Sequence, residues 1–227
     1  VMNKKPLLKP SRPLFSSGPC PKRPGWNANA IENIAYLGRS HRAKKPLQQI
    51  KTLIELTGEI LELPKGYRVA IVPGSDTGAF ELLMWSLLGK NETTMLAWES
   101  FGNDWAEDAV DQLNLADCRV QRAGYGDLPE LTSVARNSDV CFTWNGTTSG
   151  VRVPNANWIE KNDDRLVLCD ATSAVFSQEL DWEKLDAVSF SWQKVLGGEG
   201  GHGVIVLSPN AIKRLTTYSP ERPMPKI

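Results

Sequence analysis

The 227-residue sequence has little histidine and little cysteine, two and four residues, and no excess of either charge. Lys plus Arg and Asp plus Glu number 26 each, so no net field draws the chain to nucleic acid or to an anionic membrane. Any anion it binds must be held by local groups. The four cysteines, Cys20, Cys118, Cys141 and Cys169, show neither CxxC nor Cys/His spacing. That argues against a zinc site and against a disulfide framework, and it fits a reducing cytoplasm. No metal is expected. No apolar run approaches the roughly 20 residues of a membrane span, and the first residues, with Lys4, Lys5 and Lys9 among prolines, lack the apolar core of a secretory signal. With 41% hydrophobic residues, the chain reads as soluble and globular, able to bury the core of one large domain or of one domain with a small appendage.

Residues 1–26 carry Pro6, Pro10, Pro13, Pro19, Pro21 and Pro24, which fix backbone angles and remove donors, so an extended arm is expected there. From residue 27 to 63, Ile31, Ile34, Ala35, Leu47, Ile50, Leu53, Ile54 and Leu61 recur at helical spacing, broken by a loop over 38–45. Two helices are expected. Beyond Pro64 the apolar runs at 69–72, 94–98, 139–143, 166–169 and 187–192 are short and strand-like, with helical stretches at 78–88 and 105–115 between them. This alternation implies an α/β fold, a mostly parallel mixed sheet with helices on both faces. Residues 202–208 follow the strand ending near Trp192 after only a glycine-rich turn, too short for a helical crossover, so one antiparallel strand is expected.

Three strand ends carry chemistry. In Ser191-Trp192-Gln193-Lys194-Val195-Leu196-Gly197-Gly198, a lysine stands at a strand end, where desolvation favours the neutral amine that attacks aldehydes. Taken alone, a surface lysine in a flexible turn would serve as well. In Leu166-Val167-Leu168-Cys169-Asp170-Ala171-Thr172-Ser173 a hydrophobic strand delivers a carboxylate, suited either to capping a helix or to holding a protonated ring nitrogen. In Val69-Ala70-Ile71-Val72-Pro73-Gly74-Ser75-Asp76-Thr77-Gly78 a strand turns through glycine and hydroxyl residues into a helix, a geometry that receives phosphate; Asp76 would repel that phosphate unless it points away. Asn145-Gly146-Thr147 offers donors for a ring oxygen, Phe101 and Trp105 could cover a ring face, and Arg39, His41 and Arg42 gather cationic side chains in one loop.

In this order Phe15-Ser16-Ser17-Gly18-Pro19, Ser40-His41-Arg42, Asn145-Gly146-Thr147, Cys169-Asp170-Ala171-Thr172-Ser173 and Gln193-Lys194 resemble the phosphoserine aminotransferase family of fold-type I enzymes that use pyridoxal 5′-phosphate (PLP). The resemblance runs from about residue 14 to 227. It implies that Lys194 forms the Schiff base with PLP and acts as general base between the substrate α-carbon and the cofactor C4′. By the same resemblance Asp170 is the pyridinium partner, Thr147 a donor to the ring oxygen, and Ser75, Asp76, Thr77 and Gln193 lie around the cofactor phosphate. Trp105, or else Phe101, stacks on the ring. His41 and Arg42 hold the substrate phosphate, one or both reaching across a homodimer. The implied reaction moves an amino group from L-glutamate to 3-phosphohydroxypyruvate in serine biosynthesis, giving O-phospho-L-serine and 2-oxoglutarate. A related phosphorylated keto acid of pyridoxine biosynthesis is a possible second substrate. The family's C-terminal small domain has no counterpart here, so residues 27–227 are expected to be the PLP-binding large domain of a longer protein. A serine-glyoxylate-type transaminase, a cysteine desulfurase and a non-catalytic α/β binding module are the competing readings.

Overall fold

The structure is a computed structural model and describes residues 7–8, 11, 20–32, 34 and 36–224. Most of the expected arm, including 15–19, lies outside the described residues, as does Ala35. The elements run α1 (Asn29–Glu32), α2 (Lys44–Ile60), β1 (Arg68–Pro73), α3 (Ser75–Leu87), β2 (Thr93–Ala97), α4 (Ser100–Glu107), β3 (Cys118–Arg122) and β4 (Asp139–Thr143). A small hairpin of β5 (Asn145–Gly146) and β6 (Val151–Arg152) follows, then β7 (Val167–Asp170), β8 (Ala187–Ser191), β9 (His202–Leu207) and α5 (Pro209–Thr217).

Seven strands form one sheet in the order β1-β9-β8-β7-β4-β2-β3. β2, β3, β4, β7 and β8 pair parallel, while β9 pairs antiparallel with both β1 and β8, so it alone runs against the rest. The mixed sheet and its single reversed strand agree with the sequence expectation. β2, β4, β7 and β8 are buried along their whole length, as parallel strands covered on both faces should be.

The two faces are covered differently. On one, α3, α4 and α5 bring Phe80, Leu83, Met84, Leu87, Trp105 and Ala211 onto Met95, Cys141, Leu168 and Ile205. On the other, irregular segments supply Val153, Ile159, Val175, Trp182 and Leu185, with Leu61 at the end of α2. Among the described residues, helical cover therefore falls mainly on one face. A buried ion pair fastens α5 to the start of β4: Arg214 Nη1 donates to Asp139 Oδ2 at 2.9 Å, and the Leu166 N–H donates to Asp139 Oδ1 at 2.7 Å. Among the described residues no helix is long and apolar enough to cross a membrane.

Several boundaries differ from the sequence reading. α3 starts three residues earlier, and the expected helix at 105–115 begins at Ser100 because the Glu99 carboxylate caps it, accepting from the Gly102 N–H at 2.7 Å. A π-helical stretch, Asp108–Gln112, continues α4. β3 escaped the sequence reading because Cys-Arg-Val-Gln-Arg is half charged or polar, as suits a sheet edge.

Candidate active site

The carboxyl ends of β1, β2, β4, β7 and β8 share one edge of the sheet, and the reversed β9 begins there. Around that edge a cleft of about 130 Å³ is lined by Ser75, Asp76, Thr77, Phe101, Trp105, Thr143, Asn145, Thr147, Asp170, Thr172, Ser173, Gln193 and Lys194. A broader, open groove of about 750 Å³ lies elsewhere, between Glu62, Arg152 and residues 177–181. Its lining holds no lysine, so size and chemistry point to different places. The chemistry decides for the smaller cleft, which also lies beyond the strand ends of an open α/β sheet, where such folds bind ligands.

The chain leaves β1 through Gly74 at φ +90° and Ser75 at φ +58°. A glycine takes the first conformation freely; Ser75 holds the second at some cost, a strain typical of ligand-binding turns. The sharp turn sets the N-terminus of α3, with its unpaired first-turn amides and positive dipole end, at the cleft. Gln193 Nε2 donates to Ser75 Oγ at 3.2 Å, joining this turn to the one after β8. Behind it, β9 passes so close that a Cβ on Gly203 would run into the Ser75 carbonyl and the Ala79 methyl. Only glycine fits there.

Asp170 ends β7 and is buried. Its Oδ1 accepts from the Thr172 N–H at 3.0 Å and its Oδ2 from the Trp105 indole N–H at 3.2 Å. Asp76, also buried, faces it from the first turn of α3. Burial first, and the neighbouring Asp170 charge second, push the Asp76 carboxyl well above the usual carboxylate range.

The two candidate stacking rings part company. Trp105 is buried, its ring centroid 4.9 Å from that of Phe80, with its N–H committed to Asp170. Phe101 is 46% exposed and lines the cleft from the solvent side of α4. Thr147 is exposed and shares a 3.0 Å hydrogen bond with Ser173, whose hydroxyl also accepts from Asn145 Nδ2 at 2.8 Å. The fully buried Glu99 anchors the neighbouring Thr148, whose hydroxyl donates to Glu99 Oε2 at 3.0 Å.

Lys194 is half-buried in the turn after β8 and lines the same cleft as Asp170. The described end of the N-terminal segment straps that turn. The Cys20 N–H donates to the Gln193 carbonyl at 2.8 Å, and Lys22 Nζ to the Gly197 carbonyl at 2.6 Å and to Glu199 at 2.7 Å. Of the residues expected to form a site, the structure therefore gathers Ser75, Asp76, Thr77, Phe101, Trp105, Thr147, Asp170, Gln193 and Lys194. It does not gather His41 and Arg42, which sit exposed in the turn ahead of α2, outside this lining. Sequence reasoning passed over Glu99, although it repeats the Asp170 pattern of a carboxylate delivered by an apolar strand. It also gave no role to Thr172 and Ser173, two and three residues beyond Asp170, which line the cleft.

Four buried atoms of the lining lack partners among the described residues: Asp76 Oδ1, Thr143 Oγ1, Thr172 Oγ1 and Gln193 Oε1. Buried polar groups are nearly always paired, so such a cluster marks where a polar ligand completes the structure. A lysine and a carboxylate lining one small cavity, with a helix N-terminus at its edge, suit an anionic ligand that carries a carbonyl carbon an amine can attack.

Comparison with known proteins supports that chemistry. The model of the class-V aminotransferases matches residues 27–221. A curated phosphoserine aminotransferase of Methanosarcina mazei is 52% identical over 223 residues, 98% of this chain and 60% of the relative, so the chain spans about three-fifths of that protein's length. Among solved structures, a phosphoserine aminotransferase of Cytophaga hutchinsonii superposes with a TM-score of 0.71 at 28% identity, over 79% of this chain and 50% of the other. A Thermus thermophilus aspartate aminotransferase gives 0.70 at 25% identity, over 87% and 57%. With the family's match covering most of its length and its strand-end lysine and carboxylate lining one cleft, the chain belongs to the class-V aminotransferases.

Proposed function

We propose that the protein is a PLP-dependent phosphoserine aminotransferase, moving an amino group from L-glutamate to 3-phosphohydroxypyruvate in serine biosynthesis. The observation that carries this is the single cleft in which Lys194, Asp170 and the N-terminus of α3 meet. Its residues fit the cofactor. The unpaired Gln193 Oε1, Thr172 Oγ1 and Thr143 Oγ1 lie within a cavity small enough for one ring, and the Gly203 approach holds the Ser75 turn close. Ser75, Thr77, Gln193 and the first-turn amides would hold the phosphate, Lys194 would bind the aldehyde carbon, and Asp170 the ring nitrogen. Phe101, not the committed Trp105, would cover the exposed ring face. Bound there, PLP supplies the electron sink that lets the substrate α-carbon lose its proton.

The chain's own groups do the rest. Asp170, held by two N–H donors, would keep the ring nitrogen protonated because a fixed anion favours the cationic form. With its amine free, Lys194 would be the base positioned to take the substrate α-proton. Thr147, paired with Ser173, would donate to the ring oxygen. His41 and Arg42 lie outside their own chain's cleft, which supports placing them at the substrate phosphate of a second copy in a cytoplasmic homodimer. The class-V match over residues 27–221 supports reading residues 27–227 as the PLP-binding large domain.

The test is spectroscopic and kinetic. Protein given PLP should gain a near-visible absorption band that borohydride traps, and Lys194→Ala should lose it. The holoenzyme should prefer phosphohydroxypyruvate; equal rates with glyoxylate or pyruvate would reject the proposed substrate.

A further inference from the structure

Asp76 and Trp105 meet at Asp170, and neither has a place in the chemistry above. The Asp76 carboxyl is buried, one of its oxygens has no partner, and it lines the same small cleft as a second buried carboxyl, Asp170. Two buried carboxyls facing one small cleft resist being charged together, which favours the neutral form of Asp76. A charged Asp76 would also repel any phosphate received by α3. A neutral one would not. Trp105, for its part, is fixed by the Phe80 ring at 4.9 Å and directs its N–H at Asp170 Oδ2.

We propose that Asp76 and Trp105 are positioning residues for Asp170, Asp76 as a neutral acid donating its O–H to that carboxylate and Trp105 as a fixed N–H donor to Oδ2. With the Thr172 amide on Oδ1, these donors occupy the carboxylate from three directions and leave one direction for the ring nitrogen. Neutrality at position 76 also answers how an aspartate can sit in the first turn of a phosphate-receiving helix. The inference rests on the PLP site proposed above.

The experiment measures PLP affinity, the induced circular dichroism of bound PLP, and kcat separately from KM in purified protein carrying Trp105→Phe, Asp76→Ala or Asp76→Asn. Trp105→Phe keeps the ring packing and deletes one donor. It should weaken PLP binding by roughly tenfold, the scale of one lost hydrogen bond to a carboxylate, and lower kcat more than it changes KM for the keto acid. Asp76→Ala should do the same and diminish the dichroism, whereas Asp76→Asn, neutral and still a donor, should recover most of the loss. If Asp76→Ala does not fold, Trp105→Phe and Asp76→Asn carry the test. The inference is overturned if Trp105→Phe binds PLP within twofold of wild type with unchanged dichroism, or if Asp76→Asn is as damaging as Asp76→Ala. Wild-type protein that takes up no PLP would instead overturn the reading of the site, and this inference with it.

Discussion

Gly203→Ala should damage the cleft from behind. The added methyl meets the Ser75 carbonyl and the Ala79 Cβ, and the first of these is backbone that cannot rotate away. β9 lies between β1 and β8 in the sheet, hydrogen-bonded on both sides, so it cannot retreat. The first turn of α3 must yield. Overpacking of this kind costs about 1–3 kcal/mol, which for a chain of this length lowers Tm by roughly 2–12 °C. The same shift displaces Ser75, Asp76 and Thr77, so PLP affinity measured by absorbance titration should fall about tenfold or more, beyond what the stability loss accounts for. Gly201→Ala, two residues away with nothing within 4 Å of its added Cβ, is the control and should leave both quantities unchanged. If Gly203→Ala binds PLP as tightly as wild type, or if Gly201→Ala is equally harmful, the argument from close approach is wrong.

Two further outcomes follow from burial. Arg214→Leu strands the Asp139 carboxylate, fully buried, with only the Leu166 and Asn91 donors, and should cost about 3–5 kcal/mol, seen as a loss of roughly 6–20 °C in thermal unfolding. Asp139 begins β4, at the end of the strand away from the cleft, so PLP affinity of the folded fraction should hold. Asp76→Asn should raise the apo-protein's Tm at neutral pH. An acid whose folded-state pKa is raised contributes stability below its unfolded value, near 4, and loses it as pH climbs, so the advantage of asparagine should shrink toward pH 4. A constant difference between pH 4 and 8 would show that Asp76 titrates normally.

What the sequence made legible follows from how locally each feature is encoded. The buried strands β4, β7 and β8 are short, mostly apolar runs ending in polar residues, so the strands and the polar residues at their ends could be read. The ten-residue turn between β8 and β9 made the strand reversal readable from chain length alone. What escaped depends on partners distant in sequence. No local pattern says that Trp105 turns inward to Asp170, 65 residues on, and leaves Phe101 at the mouth. Nor does one say that Glu99 spans to Thr148, or that α5 is pinned through Arg214 to β4. Nor does any local pattern say that His41 and Arg42 stay exposed ahead of α2, outside the cleft lining.

The reversed strand has one more consequence. Neighbouring parallel strands are joined by crossovers that traverse a whole layer of the molecule, with freedom to drift. β8 and β9, by contrast, are rigid rails side by side, and the peptide between them is a short hoop with both feet clamped in the same sheet. Lys194 rides on that hoop, three residues past one foot, with Cys20 and Lys22 pressing on it from outside. The proposed nucleophile, mounted this way, keeps its aim through the rigidity of its footing, so lengthening the hoop should lower PLP affinity well before it loosens the fold.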